Sequence, residues 1–252
     1  MKNNNILSYN LNGWCPVNKT ISYKKKINRF AAYVRELYGE PMIIMLQEML
    51  AGKDQQFLKQ LKNEFSGYEV ITPSFDYHQH YKSIMVVTLI RKDVLGNYTV
   101  KVLDDELPNR INYVIASIAN VEYRILNVHC VQSMNFRNRA AWYIEDRTKK
   151  KKRMWQHLID EANNHSDSNV IIAGDLQENK EGVHIKEIIS KGYIMADTCQ
   201  VTINNNFFSE DHIDHIIFSR GAYDELNPAV FVDDSKIGNL SDHALVYATC
   251  AL

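Results

Sequence analysis

Six short polar blocks lie at the ends of predicted strands, and their side chains are of the kinds that bind hard metal ions and move protons. The blocks are Asn10-Leu11-Asn12-Gly13, Leu46-Gln47-Glu48, Asn127-Val128-His129, Gly174-Asp175-Leu176-Gln177, Ile213-Asp214-His215 and Ser241-Asp242-His243. Each block alone has an ordinary structural explanation, because a single carboxylate or histidine is usually a capping or hydrogen-bonded residue. As a set they place carboxylates, amides and histidines where loops bring residues from different strands together.

The residue types in these blocks indicate a particular chemistry. Oxygen and amide ligands suit Mg²⁺ or Mn²⁺ rather than zinc. Asp214 together with His243 predicts an imidazole that is oriented by a carboxylate and can stay protonated while it faces a phosphoryl oxygen. Asp175 beside Gln177 predicts a base and an amide that hold an attacking water.

Predicted strands and helices would position these blocks. Apolar residues at helical spacing predict helices over residues 23–38, 57–65, 138–163 and 184–190. Short apolar runs predict strands over residues 6–10, 42–47, 68–72, 83–91, 97–103, 111–119, 121–129, 170–173, 213–218, 229–232 and 244–249. The consecutive central strands indicate antiparallel sheet, with a tight hairpin at Asn120.

Composition excludes several classes of protein. With 45% hydrophobic residues among 252 and a formal charge of −1, the chain is neither disordered nor a strongly basic histone-like binder. The four cysteines lie far apart without a CxxC pair, so neither a zinc ribbon nor a disulfide scaffold is indicated. Nucleotide-binding glycine motifs are missing. Without a signal peptide or a bilayer-length apolar run, the chain is expected to be cytoplasmic and to have no membrane anchor.

The six blocks, in this order and at this spacing, resemble the motifs of the endonuclease/exonuclease/phosphatase superfamily, the DNase-like metal-dependent phosphoesterases. The resemblance runs from Ile6 to Ala248 and so covers nearly the whole chain. It implies an α/β (α+β) fold, a four-layer sandwich of two packed, mostly antiparallel β-sheets flanked by helices. It also implies one domain over residues 1–252.

The resemblance further implies roles for the matching residues. A site for Mg²⁺ or Mn²⁺ is expected at Asn10, Glu48 and Asp242. The expected catalytic residues are His129, Asp175, Gln177, Asp214 and His243. Substrate contacts are expected from Asn12, His80 and Lys82. His129 matches a second acid–base histidine that only some branches of the superfamily use.

Two positions depart from the family pattern. Gln177 stands where the family usually has Asn, and its extra methylene moves the amide by about 1.5 Å, a misplacement that can cost on the order of 10²-fold in rate. Asn12 stands where some repair-type members carry Asp, which removes one possible ligand of a second metal ion.

The implied activity is hydrolysis of phosphodiester bonds in DNA or RNA. Two basic groups favour a nucleic-acid substrate, Lys24–Lys26 with Arg29 and the run 149–153, although a run of charge is more often a solvated helix face. The aromatic loop 75–80 is either a stacking surface for bases or an ordinary exposed connection.

Two alternative functions remain. The near-neutral charge is compatible with a phosphatase acting on a small-molecule or lipid head-group phosphate, and Gln177 is compatible with a weakly active or non-catalytic binding protein. No protein partner is indicated.

Overall fold

A computed structural model of the chain describes residues 2–13, 22–76, 83–132, 140–195, 212–233, 240–241 and 243–251. Within them the strands are β1 (Ile6–Asn10), β2 (Ile43–Leu50), β3 (Tyr68–Ile71), β4 (Ile84–Arg91), β5 (Leu95–Lys101), β6 (Ile111–Ile118), β7 (Val121–His129), β8 (Val170–Asp175), β9 (Ile194–Met195), β10 (Asp214–Phe218), β11 (Ala229–Asp233) and β12 (Leu245–Thr249). The helices are α1 (Tyr23–Leu37), α2 (Gln56–Glu64), α3 (Ala141–Asn164), α4 (Val183–Ser190) and α5 (Arg220–Leu226), with a 3-10 turn at Lys53–Gln55 before α2.

These strands form two six-stranded sheets, ordered β11-β12-β1-β2-β4-β3 and β5-β6-β7-β8-β10-β9 in the described residues. Each sheet is antiparallel except for one central pair, β1 with β2 in the first and β7 with β8 in the second. Each parallel pair is joined by a crossover helix, α1 or α3. The carboxyl ends of a parallel pair meet at the same edge of a sheet, so the two pairs present four strand ends for a site.

Alternating side chains explain why the two sheets pack face to face. In β2, Ile43 and Met45 point into a core between the sheets, whereas Ile44 and Leu46 point into a second core under α1 and α2. A third core lies between the outer face of the other sheet and α3 and α4, and it includes Leu126 and Ile172. The predicted sandwich of two mostly antiparallel sheets with flanking helices is therefore confirmed.

The long helix α3 shows how the apolar pattern specifies packing. The predicted inner face is buried in full, through Met154, Trp155, Leu158, Ile159 and Ala162. The predicted hairpin is also present, because Ala119 and Asn120 both have positive φ, as a two-residue turn between β6 and β7 requires. No helix in the described ranges has both the length and the apolar character needed to cross a bilayer.

Buried amides tie the two sheets together directly beneath the strand ends. Gln47 Nε2 donates to Asn127 Oδ1 across the sandwich at 2.8 Å. Asn127 Nδ2 in turn donates to the carbonyl oxygens of Leu46 and Val87, at 3.2 and 2.9 Å. Both amide side chains are fully buried. If one of them is removed, the polar atoms that it bonded are left with neither a hydrogen-bond partner nor water.

We therefore expect Asn127→Ala to lower the free energy of unfolding by about 2–3 kcal/mol, because it leaves buried donors and acceptors unpaired. Urea unfolding measures the change. Asn163→Ala, on the exposed side of α3, is the matched control and should shift stability by less than about 0.5 kcal/mol. A loss below about 1 kcal/mol for Asn127→Ala would show that the amide link contributes little.

Candidate functional site

Asp175 is the centre of the candidate site. It is the last residue of β8, and the sheet register places it opposite His129 of β7 on one side and Asp214 of β10 on the other. The preceding Gly174 has φ 135°, and a Cβ there would lie only 1.9 Å from the Val128 carbonyl oxygen. Only glycine permits this close approach of β7 and β8, which brings their ends together.

Two amides hold the Asp175 carboxylate, which is 1% exposed. Gln177 Nε2 donates to Oδ1 and Oδ2 at 2.8 and 2.9 Å. Asn10 Nδ2, from the opposite sheet, donates to Oδ2 at 3.1 Å. Gln177, whose φ is 53°, thus reaches Asp175 with its amide in spite of the extra methylene.

Burial is the largest cause that raises the pKa of Asp175 to about 7, and the neighbouring charge of Asp214 adds to it, whereas His243 and the bonds from Gln177 and Asn10 oppose the rise. A carboxylate with such a pKa can accept a proton near neutral pH, which an ordinary aspartate does poorly.

This raised pKa also predicts a pH-dependent cost in stability. Because the folded pKa lies above that of the unfolded chain, the stabilising effect of the protonated carboxyl is complete below about pH 4 and is lost as pH rises through about 7. Wild type should therefore lose stability between pH 5 and pH 8, whereas Asp175→Asn has no carboxyl to ionise at this position. In EDTA, the free energy of unfolding of Asp175→Asn minus that of wild type should rise by about 2 kcal/mol over this range. Urea unfolding of both proteins at the two pH values measures it, and a pH-independent difference would contradict the raised pKa.

His243 and Asp214 form a hydrogen-bonded pair beside Asp175. His243 Nδ1 lies 2.7 Å from Asp214 Oδ2, and His243 Nε2 lies 3.9 Å from Asp175 Oδ2. The carboxylate therefore orients the imidazole so that its other nitrogen faces the centre of the site. The remaining oxygen of Asp214, Oδ1, is buried and has no hydrogen-bond partner among the described residues.

His129 approaches from the opposite side, between two carboxylates. Its Nε2 lies 3.6 Å from Glu48 Oε1 and 3.6 Å from Asp175 Oδ2. Arg110 Nη1 lies 2.9 Å from Nδ1 and 3.2 Å from Nε2, so it contacts both ring nitrogens. Burial, followed by the charge of Arg110, lowers the pKa of His129 well below its ordinary value, so the ring is neutral at neutral pH.

A β-bulge presents the Glu48 side chain. The pairing of β2 with β4 shifts register between Leu46 and Met49, and Glu48 has φ 53°. The hydroxyl of Tyr23 donates to the Glu48 carbonyl oxygen at 3.2 Å and fixes the bulge from α1. A Cβ on Gly13 would lie 2.3 Å from that same carbonyl oxygen, so the first block must have glycine there.

The loop after β1 has an internal support that the charge pattern did not predict. Asn10 Oδ1 accepts from the Asn12 N–H at 2.8 Å. Lys26, which is 2% exposed, donates to the carbonyl oxygens of Leu11 and Asn12 at 2.8 and 3.0 Å. The prediction that Lys26 belongs to an exposed basic group is wrong, because its ammonium is used to hold this loop.

Most of the other predicted basic group is also engaged. In the run 149–153, ion pairs join Lys149 to Glu145, Lys150 to Asp146, and Arg153 to Asp104 and Glu106. Lys151 donates to the Gln177 carbonyl oxygen at 3.0 Å, which links α3 to the site. The structure thus favours a largely neutralised helix face over a free basic patch.

Eight of the predicted site residues lie in the described part of the chain, and seven of them converge at the strand ends: Asn10, Glu48, His129, Asp175, Gln177, Asp214 and His243. The eighth, Asn12, is 6% exposed and enters the network through its backbone. Asp242, His80 and Lys82 lie outside the described residues, as does most of the aromatic loop. The sequence patterns did not indicate that Arg110 and Tyr23 contact the site, through His129 and the Glu48 carbonyl oxygen.

The donor set can be tested against a divalent cation. Glu48, Asp175 and Asp214 gather three carboxylates with no lysine or arginine ion pair to any of them in the described ranges. Asp175, Asp214 and His243 each place one ligand atom within 4.8 Å of the others. The carboxylate oxygens at these strand ends, among them the unpartnered Asp214 Oδ1, fit Mg²⁺ or Mn²⁺. The group Asp175, Asp214 and His243 differs from the predicted ligand set of Asn10, Glu48 and Asp242.

Comparison with known proteins identifies the fold. No protein-family model matches the chain, and no curated protein matches it. An AP endonuclease from Archaeoglobus fulgidus is similar in structure, with a TM-score of 0.70 at 13% identity over 99% of this chain and 100% of that one.

Two further solved structures have the same fold. TDP2 from D. rerio, complexed with single strand DNA product, has a TM-score of 0.64 at 17% identity over 99% of each chain. A mannosyl-6-phosphatase from Bacteroides thetaiotaomicron has a TM-score of 0.67 at 17% identity over 99% of this chain and 100% of that one. The chain therefore has the fold of the endonuclease/exonuclease/phosphatase superfamily, as the six blocks predicted.

Proposed function

We propose that this protein is a Mg²⁺-dependent phosphoesterase that hydrolyses phosphodiester bonds in DNA or RNA. One observation carries the proposal: the buried Asp175 carboxylate, whose pKa is raised to about 7, lies among groups from both sheets. Three acids, Glu48, Asp175 and Asp214, lie together there without an ion pair to a lysine or arginine in the described residues. Desolvation of charge is costly, so such a cluster favours a functional role over a structural one.

The chain's own residues supply the proton transfer. Asp175 accepts the proton of a water that attacks the phosphorus atom in line with the leaving oxygen. Gln177 and Asn10 fix the direction of the carboxylate through their donated hydrogen bonds. This fixed direction reduces the reorganisation needed when the water attacks.

Two imidazoles face the position where the phosphoryl oxygens would lie. Protonated His243, held by Asp214, donates from Nε2 to an oxygen on which negative charge develops. Neutral His129 is a second donor or acceptor beside Glu48. In this proposal Asn12, His80 and Lys82 contact the rest of the substrate.

Glu48, Asn10 and Asp242 would hold the metal ion. When bound, Mg²⁺ supplies positive charge that polarises the phosphoryl group and stabilises the leaving oxygen. Asn10 uses its amide nitrogen for Asp175 and its Oδ1 accepts from the Asn12 N–H, so the second lone pair of Oδ1 is what Asn10 would offer the ion.

Nucleic acid is the favoured substrate for two reasons. Structures described as an AP endonuclease and as TDP2 with single strand DNA product share the fold over nearly the whole chain. In addition, Arg110 lies inside the site against His129, where a polyanionic substrate would meet it.

A phosphatase acting on a small phosphorylated molecule is the second candidate. The similar structure of a mannosyl-6-phosphatase favours it, as does the neutralised surface of α3.

A panel of three substrates tests the proposal: supercoiled plasmid, bis-p-nitrophenyl phosphate and p-nitrophenyl phosphate, each with Mg²⁺ or EDTA. EDTA-sensitive cleavage of both diesters supports the proposal. Turnover confined to the monoester would replace it with the phosphatase. Binding of plasmid without turnover of any substrate would replace it with a non-catalytic binding role.

A further inference from the structure

Gln177, at which the chain departs from the family pattern, has a backbone conformation that must be held by its surroundings. Its φ of 53° lies in the left-handed region, which is unfavourable for any residue with a Cβ. From this conformation its Nε2 reaches both carboxylate oxygens of Asp175, at 2.8 and 2.9 Å. Such a conformation persists only where neighbouring groups fix it, so the contacts of the main chain around Gln177 bear on the site.

The main chain on either side of Gln177 is bound to the neighbouring strand segment. The Leu176 N–H donates to the Ile213 carbonyl oxygen at 2.8 Å. His215 Nε2, from β10, donates to the Glu178 carbonyl oxygen at 2.9 Å. The Glu178 carboxylate is held as well, because its Oε2 accepts from two N–H groups at the start of α4, at 3.0 and 3.3 Å. These bonds fix the residues before and after Gln177.

Lys151, on α3, binds Gln177 itself. Its Nζ donates to the Gln177 carbonyl oxygen at 3.0 Å, and the side chain is only partly exposed. The ammonium carries a full charge, so this bond is stronger than one between neutral groups. The direction of a carbonyl bond depends on ψ of its own residue. The bond from Lys151 therefore holds Gln177 at the conformation from which its side chain reaches Asp175.

The extra methylene of glutamine makes this support important. A longer side chain has more rotamers than asparagine and loses more conformational entropy when its amide is fixed. A catalytic group that is displaced by about 1 Å can lose on the order of 10²-fold in rate. A glutamine on an unsupported loop would therefore orient the Asp175 carboxylate poorly, and a fixed main chain removes part of that disadvantage.

We propose that Lys151 is a positioning residue, which acts through Gln177 to direct the Asp175 carboxylate towards the attacking water. This inference rests on the proposed function for the role of Asp175 as the base. Lys151 acts on the carboxylate rather than on the substrate. Its loss should therefore lower kcat and leave KM nearly unchanged.

Steady-state hydrolysis of bis-p-nitrophenyl phosphate with Mg²⁺ tests the positioning role. Lys151→Met is expected to lower kcat about tenfold and to change KM by less than about twofold. Lys151→Arg should retain most of the rate, because it keeps a charged donor on a stem of similar length. A wild-type kcat in Lys151→Met, or a change confined to KM, would overturn the proposal.

Lys152→Met is the matched control, since it makes the same substitution at the next position of α3, where the side chain is exposed. It should change kcat and KM by less than about twofold. An equal loss of kcat in Lys152→Met and Lys151→Met would show a general charge effect and overturn the positioning role. Circular dichroism identifies any loss of fold in Lys151→Met, and in that case Lys151→Gln, assayed in the same way, decides the question.

A double-mutant cycle tests whether Lys151 acts through Gln177. In a Gln177→Ala background the amide that Lys151 positions is absent, so Lys151→Met should lower kcat by less than about twofold. A full tenfold loss in that background would show that Lys151 acts by another route, such as the field of its charge, and would overturn the proposal.

Hydrogen exchange of the Gln177 side-chain amide, followed by nitrogen-15 NMR in EDTA, tests the same role without catalysis. The signal is identified as the one that Gln177→Ala lacks. Lys151→Met should speed its exchange about tenfold, because the amide leaves the Asp175 carboxylate more often. Unchanged exchange in Lys151→Met would overturn the positioning role. If wild type hydrolyses no diester but Lys151→Met frees this amide, the proposed function fails and the positioning of Gln177 stands.

Discussion

Asp175→Asn is expected to lower kcat for phosphodiester hydrolysis by about 10³-fold, within the range seen when a general base is removed. Asparagine keeps the shape of the side chain and can still accept one of the bonds donated by Gln177 and Asn10, but it cannot take a proton from water. The loss should therefore fall on kcat, with KM nearly unchanged.

Steady-state kinetics with bis-p-nitrophenyl phosphate and Mg²⁺ measure the effect of Asp175→Asn. Asp160→Asn, on the exposed face of α3, makes the same chemical change away from the strand ends and should retain wild-type kcat. A loss of less than about tenfold in Asp175→Asn would exclude Asp175 as the base.

His243→Ala should lower kcat by about 10²–10³-fold, because it removes a donor to the oxygen on which charge develops. Asp214→Asn should cost less, since the imidazole stays in place but loses the carboxylate that orients it and stabilises its proton. In the double variant the effect should equal that of His243→Ala alone, because Asp214 acts through His243.

The double-mutant cycle provides its own control for the His243–Asp214 pair. All four proteins are assayed with the same diester at the same Mg²⁺ concentration, and their thermal unfolding is recorded alongside. Additive losses in the double variant would show that Asp214 has a separate role, such as a metal ligand through its unpartnered Oδ1. That result would contradict the proposed pair.

Local pattern specified much of the fold. The strand Val121–His129 was predicted with its bounds, because apolar residues fill the strand and polar residues mark its end. The inner face of α3 followed from helical spacing in the same way. Helix α5 was not predicted. Only Ala222 and Leu226 are buried in it, and two apolar residues are too few to establish a helical repeat in the sequence. The two-residue strand β9 is shorter than any readable alternation.

The site residues that lie within sequence motifs were predicted. The residues that only tertiary contacts bring to the site were missed. Asp175 and Glu48 were expected directly at strand ends. Asp175 is the last residue of β8, whereas Glu48 lies at the bulge of β2, two residues before that strand ends. Arg110 follows no motif, and only the sheet register brings it to His129. Lys26 was assigned to the surface by its charged neighbours, although buried carbonyl oxygens of another segment bind its ammonium.

The most direct test of the proposed function is the Mg²⁺ dependence of bis-p-nitrophenyl phosphate hydrolysis by wild type and Glu48→Gln. Glutamine keeps the length of the side chain and removes its charge, so a variant that folds but binds Mg²⁺ poorly is expected. We predict wild-type turnover that EDTA abolishes, and turnover at least about 10²-fold lower in Glu48→Gln at the same Mg²⁺ concentration. Hydrolysis that resists EDTA, or that proceeds at the wild-type rate in Glu48→Gln, would contradict a metal-dependent phosphoesterase site at these strand ends.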